Sequence, residues 1–174
     1  MAAPAFVDRL NEQIGHEFSA HQQYVAIAAY YDALTMPQMA ALFYAQAQEE
    51  RDHAMMMVQY LLDADHVPAI PGLPAPRFDF TDVIEPVAVA LAQEQRVTTQ
   101  IYELTRIARD HDDFASDQFM QWFIKEQVEE LSKMSDLLAV VTRSKADYER
   151  IEDWVAREES GAEADPTAPR IAGA

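Results

Sequence analysis

Cysteine is absent from this chain of 174 residues. That excludes disulfides, thiolate zinc sites, iron–sulfur ligation and cysteine nucleophiles. Glycine is scarce, at 4 residues, and most of the 9 prolines are gathered in two segments. Helix breakers are therefore few and localised. No stretch approaches the roughly 18 apolar residues of a membrane span. The N-terminal run MAAPAFVDRLNEQ lacks a basic region followed by an apolar one, so no secretory leader is expected. These absences predict a soluble, cytoplasmic protein without a membrane partner. Positive charge is also short: 13 Lys plus Arg face 30 Asp plus Glu, a net −17. A nucleic-acid partner would need a basic face, so none is expected. The acid surplus fits simple solubility or cation handling, and composition does not choose between them.

What is present is long helical periodicity. A first helix is predicted from about Ala5 to Leu34, with Phe6, Leu10, Ile14, Phe18, Tyr24, Ile27 and Tyr31 recurring along it. A second runs from about Pro37 to Ala64, capped by Thr35, with Ala41, Phe43, Ala47, Ala54, Met57 and Leu61 as its repeat. Pro68, Pro71, Gly72, Pro74 and Pro76 break the pattern over about Asp65 to Phe80. Thr81 or Asp82 caps a third helix that ends near Arg109. A fourth covers about Ser116 to Val141, and a short fifth Lys145 to Glu158, with Tyr148, Ile151, Trp154 and Val155 on one side. Helices of this length are roughly 40 Å long. The Pro-rich connection reaches roughly 50 Å when extended, enough to run back along the bundle. A four-helix bundle with one long crossover follows, with a short fifth helix. Residues 1–160 are expected to form this domain, and 161–174 a flexible acidic tail.

Acidic residues recur near the helix midpoints. Glu17 is about 12 residues into the first helix. Glu50 lies at similar depth in the second, with His53 three residues on. Glu94 and Glu130 do the same in the third and fourth. Midpoints stay level whichever way helices run, so one slab of the bundle collects all of them. Glu50 and His53 share a helix face. In one arrangement Glu50 bridges two ions, Glu17 and His53 completing one shell and Glu94 and Glu130 the other. Carboxylates with one imidazole suit iron or manganese. Glutamate is also common on solvated helix faces, so spacing alone leaves both readings open.

At these residues the chain resembles the non-haem bacterial ferritins. The likeness is carried by LNEQIGHEFSAHQQYVAIAAYY around Glu17, AQAQEERDHAMMMVQYL around Glu50, LAQEQ around Glu94 and FMQWFIKEQVEELSKM around Glu130. It implies an all-α ferritin-like bundle that assembles as a homo-oligomer of 24 subunits. It implies a ferroxidase that oxidises Fe(II) with dioxygen or peroxide and stores ferric mineral inside the shell. It implies two iron ions per subunit, an electron donor of unknown identity for iron release, and cytoplasmic iron homeostasis. By the same resemblance Glu17, Glu50 and His53 match the first iron site, and Glu50, Glu94 and Glu130 the second. Gln127 matches a glutamine beside the centre. Tyr24 matches a tyrosine that can donate a hydrogen bond or an electron. Glu49, Glu126 and Glu129 match an additional, weaker iron site towards the cavity.

Two departures bear on subtype. Haem-binding bacterioferritins carry Met after the bridging glutamate of the second helix, and here that residue is Arg51, so no haem is expected. They also carry His three residues after the bridging glutamate of the fourth helix, where this chain has Gln127 and Glu130. Met55, Met56 and Met57 read as core or interface filling, as do Trp122 and Trp154. His16 and His21 read as surface or packing residues. Asp110, Asp112, Asp113 and Asp117 fit a solvated turn or a cation channel at a symmetry axis. A stand-alone diiron oxidase or peroxidase, and a structural shell subunit without ferroxidase activity, are the alternatives.

Overall fold

The computed structural model describes residues 2–145, 147–158 and 165–173. It contains α1 (Pro4–Ala33), α2 (Pro37–Asp63), α3 (Glu85–Asp110), α4 (Phe114–Ser144) and α5 (Tyr148–Glu158). Pro4 and Pro37 open their helices, where a missing N–H costs nothing. The predicted ends shift where tertiary contacts decide them. Thr35 does not cap α2. It adopts a left-handed φ of 60° and reverses the chain, and Met36 precedes the helix. Helix α3 starts later than the pattern suggests, at Glu85. The Asp82 carboxylate accepts from the N–H groups of Ile84 and Glu85 at 2.8 and 2.9 Å, so it still serves that end. Helix α4 is longer at both ends. Asp113 accepts from the Ser116 N–H at 3.1 Å, and Lys145 closes the helix with a left-handed φ of 50°.

Helix α1 packs mainly on α2 and α3 mainly on α4, while α5 rests on α2 and α4. The crossover can be followed along α1. The Asn11 side chain accepts from the Ala69 N–H at 2.8 Å. The Gln23 amide both accepts from and donates to the Arg77 backbone, and the Tyr31 hydroxyl donates to the Val83 carbonyl at 2.7 Å. Residues 69 to 83 thus climb α1 from Asn11 to Tyr31, which leaves α2 and α3 parallel. Gly15 permits the close approach: a Cβ there would lie 2.6 Å from Pro71 Cγ.

The apolar core is split. One cluster gathers Tyr24, Ile27, Tyr31, Phe43, Val87, Leu137 and Ile151. The other gathers Phe6, Leu10, Ile14, Met57, Leu61, Ile101, Leu104 and Phe123. Between the two lies a buried polar layer, and that layer holds the site. Ala41, part of the predicted repeat of α2, is exposed, and its neighbours Ala40 and Leu42 are buried instead. Met56 and Met57 fill the core as expected. No described helix is long and apolar enough to cross a membrane.

Candidate dimetal centre

Five of the residues singled out by depth meet in this layer. Glu17, Glu50, His53, Glu94 and Glu130 are all at most 4% exposed, and Gln127 and Tyr24 are buried beside them. Glu17, Glu50 and His53 each offer a ligand atom within 4.8 Å of the other two. His53 Nδ1 stands 3.9 Å from a Glu50 oxygen, too far for a hydrogen bond. Burial lowers the His53 pKa to about 4, so the ring is neutral and its nitrogen lone pair is free to ligate.

The carboxylates are held by neutral donors. Gln13 donates to Glu17 at 2.8 Å and Gln46 to Glu130 at 2.9 Å. The Tyr24 hydroxyl donates to Glu94, and Gln127 reaches the other Glu94 oxygen at 3.5 Å. Thr98 fixes the Gln127 amide by donating to its oxygen at 2.7 Å. Among the described residues, one oxygen of Glu17 and both oxygens of Glu50 have no donor. Buried carboxylate oxygens left this way are costly unless a cation or a proton reaches them.

The proton affinities follow. Burial, then repulsion from Glu94 and Glu17, raises Glu50 well above the carboxylate range. Burial also raises Glu17, pushes Glu94 up to about 7 and pushes Glu130 up to about 8, with repulsion from Glu49 and Glu94 adding to the last. Tyr24 is raised well above its ordinary value by burial and by Glu94 and Glu50, so its hydroxyl keeps its proton at neutral pH. Four carboxyls that resist ionisation in one dry layer form a site that a multiply charged cation discharges.

Glu49, Glu126 and Glu129 lie apart, in an open cleft of about 700 Å³ between α2 and α4. His53 and Glu130 also line it, so the cleft abuts the centre. Burial, then Glu129 and Glu49, raises the Glu126 pKa. Lys125 and Lys133 stand in the same cleft. His16 and His21 stay out of the centre; His21 Nδ1 lies 2.7 Å from the Ala47 carbonyl. Trp122 lies edge-on to His53, with ring centroids 5.5 Å apart. In the turn between α3 and α4, Asp113 binds the Ala3 N–H at 2.8 Å besides capping α4, and Asp117 pairs with Arg109 at 3.1 Å. Of the four turn acids, Asp110 and Asp112 are left exposed to solvent.

Gln13, Gln46 and Thr98 were not singled out by the pattern. Gln13 and Gln46 precede Glu17 and Glu50 by four residues each. A polar side chain one turn before a mid-helix acid, on two helices, was the signal available.

A family model described as a ferritin-like domain matches residues 7–144. The ferritin BfrB of Mycolicibacterium smegmatis is 52% identical over 164 residues, covering 94% of this chain and 91% of the relative. A protein of Mycobacterium tuberculosis named bacterioferritin BfrB is 50% identical over the same shares. A bacterial non-heme ferritin of Staphylococcus aureus is 36% identical over 143 residues, covering 82% of this chain and 86% of the relative. An open pore ferritin of Archaeoglobus fulgidus superposes with a TM-score of 0.87 over 93% of this chain and 100% of its own, at 24% identity, a likeness of fold. These relatives correct the expectation that haem is excluded. At 50% identity stands a protein named a bacterioferritin, the class from which Arg51 is expected to separate this chain. Arg51 is exposed on α2 and bonded to Asp52 at 2.9 Å, so it blocks no site within the subunit, and one such surface residue does not decide haem binding. By its matched domain and by these identities, the chain belongs to the ferritin-like family.

Proposed function

We propose that the chain is an iron-storage ferroxidase whose substrate Fe(II) is oxidised in the polar layer of each subunit. Glu17, Glu50 and His53 hold one Fe(II), and Glu50, Glu94 and Glu130 the second, with Glu50 bridging. In balance, two Fe(II), one dioxygen and two protons give two Fe(III) and one hydrogen peroxide. The observation that carries this reading is the set of three donorless buried oxygens on Glu17 and Glu50 beside a neutral His53. Such a set is unfavourable without cations and fits hard, oxygen-seeking metal ions with one imidazole.

The remaining groups take parts around it. Tyr24, kept protonated, donates to Glu94 and stands ready to supply an electron. Gln127, fixed by Thr98, presents its amide N–H₂ to the Glu94 side of the layer, where it can bind water or reduced oxygen. Glu49, Glu126 and Glu129 receive iron leaving the centre and pass it to the interior of a cytoplasmic shell of 24 copies. Relatives named as ferritins, at 52% and 36% identity, support that assembly and the storage role. A separate electron donor then returns the ferric store to Fe(II).

Two measurements test the reading. Replacing Glu50 and His53 by Ala should abolish rapid Fe(II) oxidation, and oxidation at the parent rate would refute the centre. Native mass spectrometry should find a particle near about 470 kDa, twenty-four copies of a 19.7 kDa chain. A monomer or dimer would instead favour a stand-alone diiron oxidase.

A further inference from the structure

The chain carries a net −17, yet one small pocket on it is lined by donors. It lies between α1 and α3, bordered by His16, Ser19, Gln93, Arg96, Val97 and Gln100. Among the described residues no carboxylate borders it. Its volume is about 90 Å³. That is the space of about three water molecules, well short of the roughly 300 Å³ at which sites for organic ligands begin. One small inorganic species fits.

The lining groups are short of partners. Gln93 is 8% exposed, and among the described residues its amide nitrogen has no acceptor. A buried donor left unpaired is costly, so the site favours an acceptor that can enter. Arg96 is exposed at the rim, and among the described residues no carboxylate pairs with it. Arg9, whose charge also reaches His16, is compensated by Glu12 at 3.7 Å and Glu103 at 3.4 Å. The uncompensated cation is therefore the one that borders the pocket. Gln100 accepts from Gln13 through its oxygen at 3.2 Å, which leaves its own N–H₂ end for the pocket. The Ser19 hydroxyl donates to the Gly15 carbonyl at 2.7 Å, so it offers lone pairs to a protonated ligand oxygen.

We propose that this pocket binds a small inorganic oxyanion of the phosphate type, and that the bound anion favours cation loading of the polar layer. Arg96 supplies the charge, and Gln93 and Gln100 supply amide donors. Gln13 donates to Gln100 in the pocket wall and to Glu17 in the centre at 2.8 Å, so one side chain separates the two sites. A negative charge held there attracts cations to the layer, and by linkage the loaded layer holds the anion more tightly. Anion binding is independent of the dimetal reading, whereas its effect on cations rests on that reading.

Calorimetric titration of the metal-free, full-length protein with inorganic phosphate at fixed ionic strength tests the site. Saturable binding is expected. Arg96→Gln should weaken it by about tenfold or more, the scale of a lost hydrogen bond to a charged group. Gln93→Met keeps the length but not the donor and should weaken it a few-fold. Arg143→Gln, an equal change of charge on α4 outside the pocket, should leave it unchanged. No binding, parent affinity in Arg96→Gln or Gln93→Met, or an equal loss in Arg143→Gln would overturn the proposal. Co(II) titration, read by its absorption at the centre, should show phosphate favouring cation binding more in the parent than in Arg96→Gln; capture of Co(II) by phosphate in solution affects both chains alike. Equal phosphate effects in the two chains would overturn the coupling and leave the anion site standing. Phosphate binding without any Co(II) absorption from the centre would overturn the dimetal reading, and the coupling with it.

Discussion

The centre and the cleft are neighbours built from the same residue type, yet they handle charge in opposite ways. In the centre, Glu17, Glu50, Glu94 and Glu130 are closed off between two apolar clusters. Their hydrogen-bond donors, Gln13, Tyr24, Gln46 and Gln127, are all neutral. Charge there is balanced chiefly by protons or by cations from outside. In the cleft, Glu126 and Glu129 share an open space with Lys125, Lys133 and solvent. Charge there is partly offset by lysine and screened by solvent. The difference separates a site that binds and reacts from one that receives and releases. Depth in the bundle, rather than the count of carboxylates, makes it.

The largest expected effect breaks the centre alone. Glu50→Gln removes the bridging carboxylate and should slow Fe(II) oxidation by about 100-fold or more, the upper range for disabling a metal-site group. The same substitution should raise the melting temperature of the metal-free protein, because an amide replaces the most penalised carboxyl. Stopped-flow absorbance and calorimetry read the two. A variant that oxidises iron normally, or that loses metal-free stability, would remove the contrast.

The pH dependence should come next in size. Glu94 and Glu130 have folded pKa values raised to about 7 and about 8 from an ordinary 4.5. A raised folded value stabilises most below the unfolded value and loses that contribution as pH climbs through the folded one. Metal-free protein should therefore lose stability between about pH 5 and pH 8, on the order of 3 kcal/mol for a shift like that of Glu94. Zn(II) should cancel the loss, since metal replaces protons. Thermal melts with and without Zn(II) check both signs. Melts with no such decline would mean the centre is discharged by another route.

Gln13→Leu and Gln46→Leu release Glu17 and Glu130 without touching a ligand. Each should lower Fe(II) oxidation by about tenfold, the cost typical of losing a group that orients a ligand. Cation affinity of the cleft should be unaffected. The smallest effect should come from Glu126→Gln, which slows later rounds of iron loading a few-fold more than the first. Sequential additions of Fe(II) separate the rounds. A first round slowed as much as the later ones would merge centre and cleft into one site.

The bundle, its crossover and the level of its four glutamates were legible because each depends on periodicity and length alone. Phe6, Leu10 and Ile14 repeat at helical spacing wherever their partners lie, and the Pro-rich connection from about Asp65 to Phe80 is long enough to run back along the bundle. Helix ends were less legible. Thr35 has the chemistry of a cap, but the turn after α1 needs a left-handed residue there. Asp82 acts from three residues ahead of α3 because the chain bends between them. The supports of the centre were half visible: Gln13 and Gln46 precede their glutamates by one turn, whereas Thr98 reaches Gln127 only across two helices. Asp165 was out of reach, since its partners Trp122 and Lys125 lie about forty residues upstream, on α4, with α5 between them in the chain. Residues 159–164 and 174, part of the expected flexible tail, lie outside the described residues. The exclusion of haem drawn from Arg51 failed for a related reason: an exposed side chain records little about what a partner surface holds.

The central claim is that the polar layer binds two cations bridged by Glu50. Crystals soaked with Fe(II) under anaerobic conditions and measured at the iron edge test it most directly. Two anomalous peaks about 3.5–4 Å apart are expected, one against Glu17 and His53 and one against Glu94 and Glu130, with Glu50 between them. A layer without peaks, or iron confined to the cleft at Glu49, Glu126 and Glu129, would contradict it.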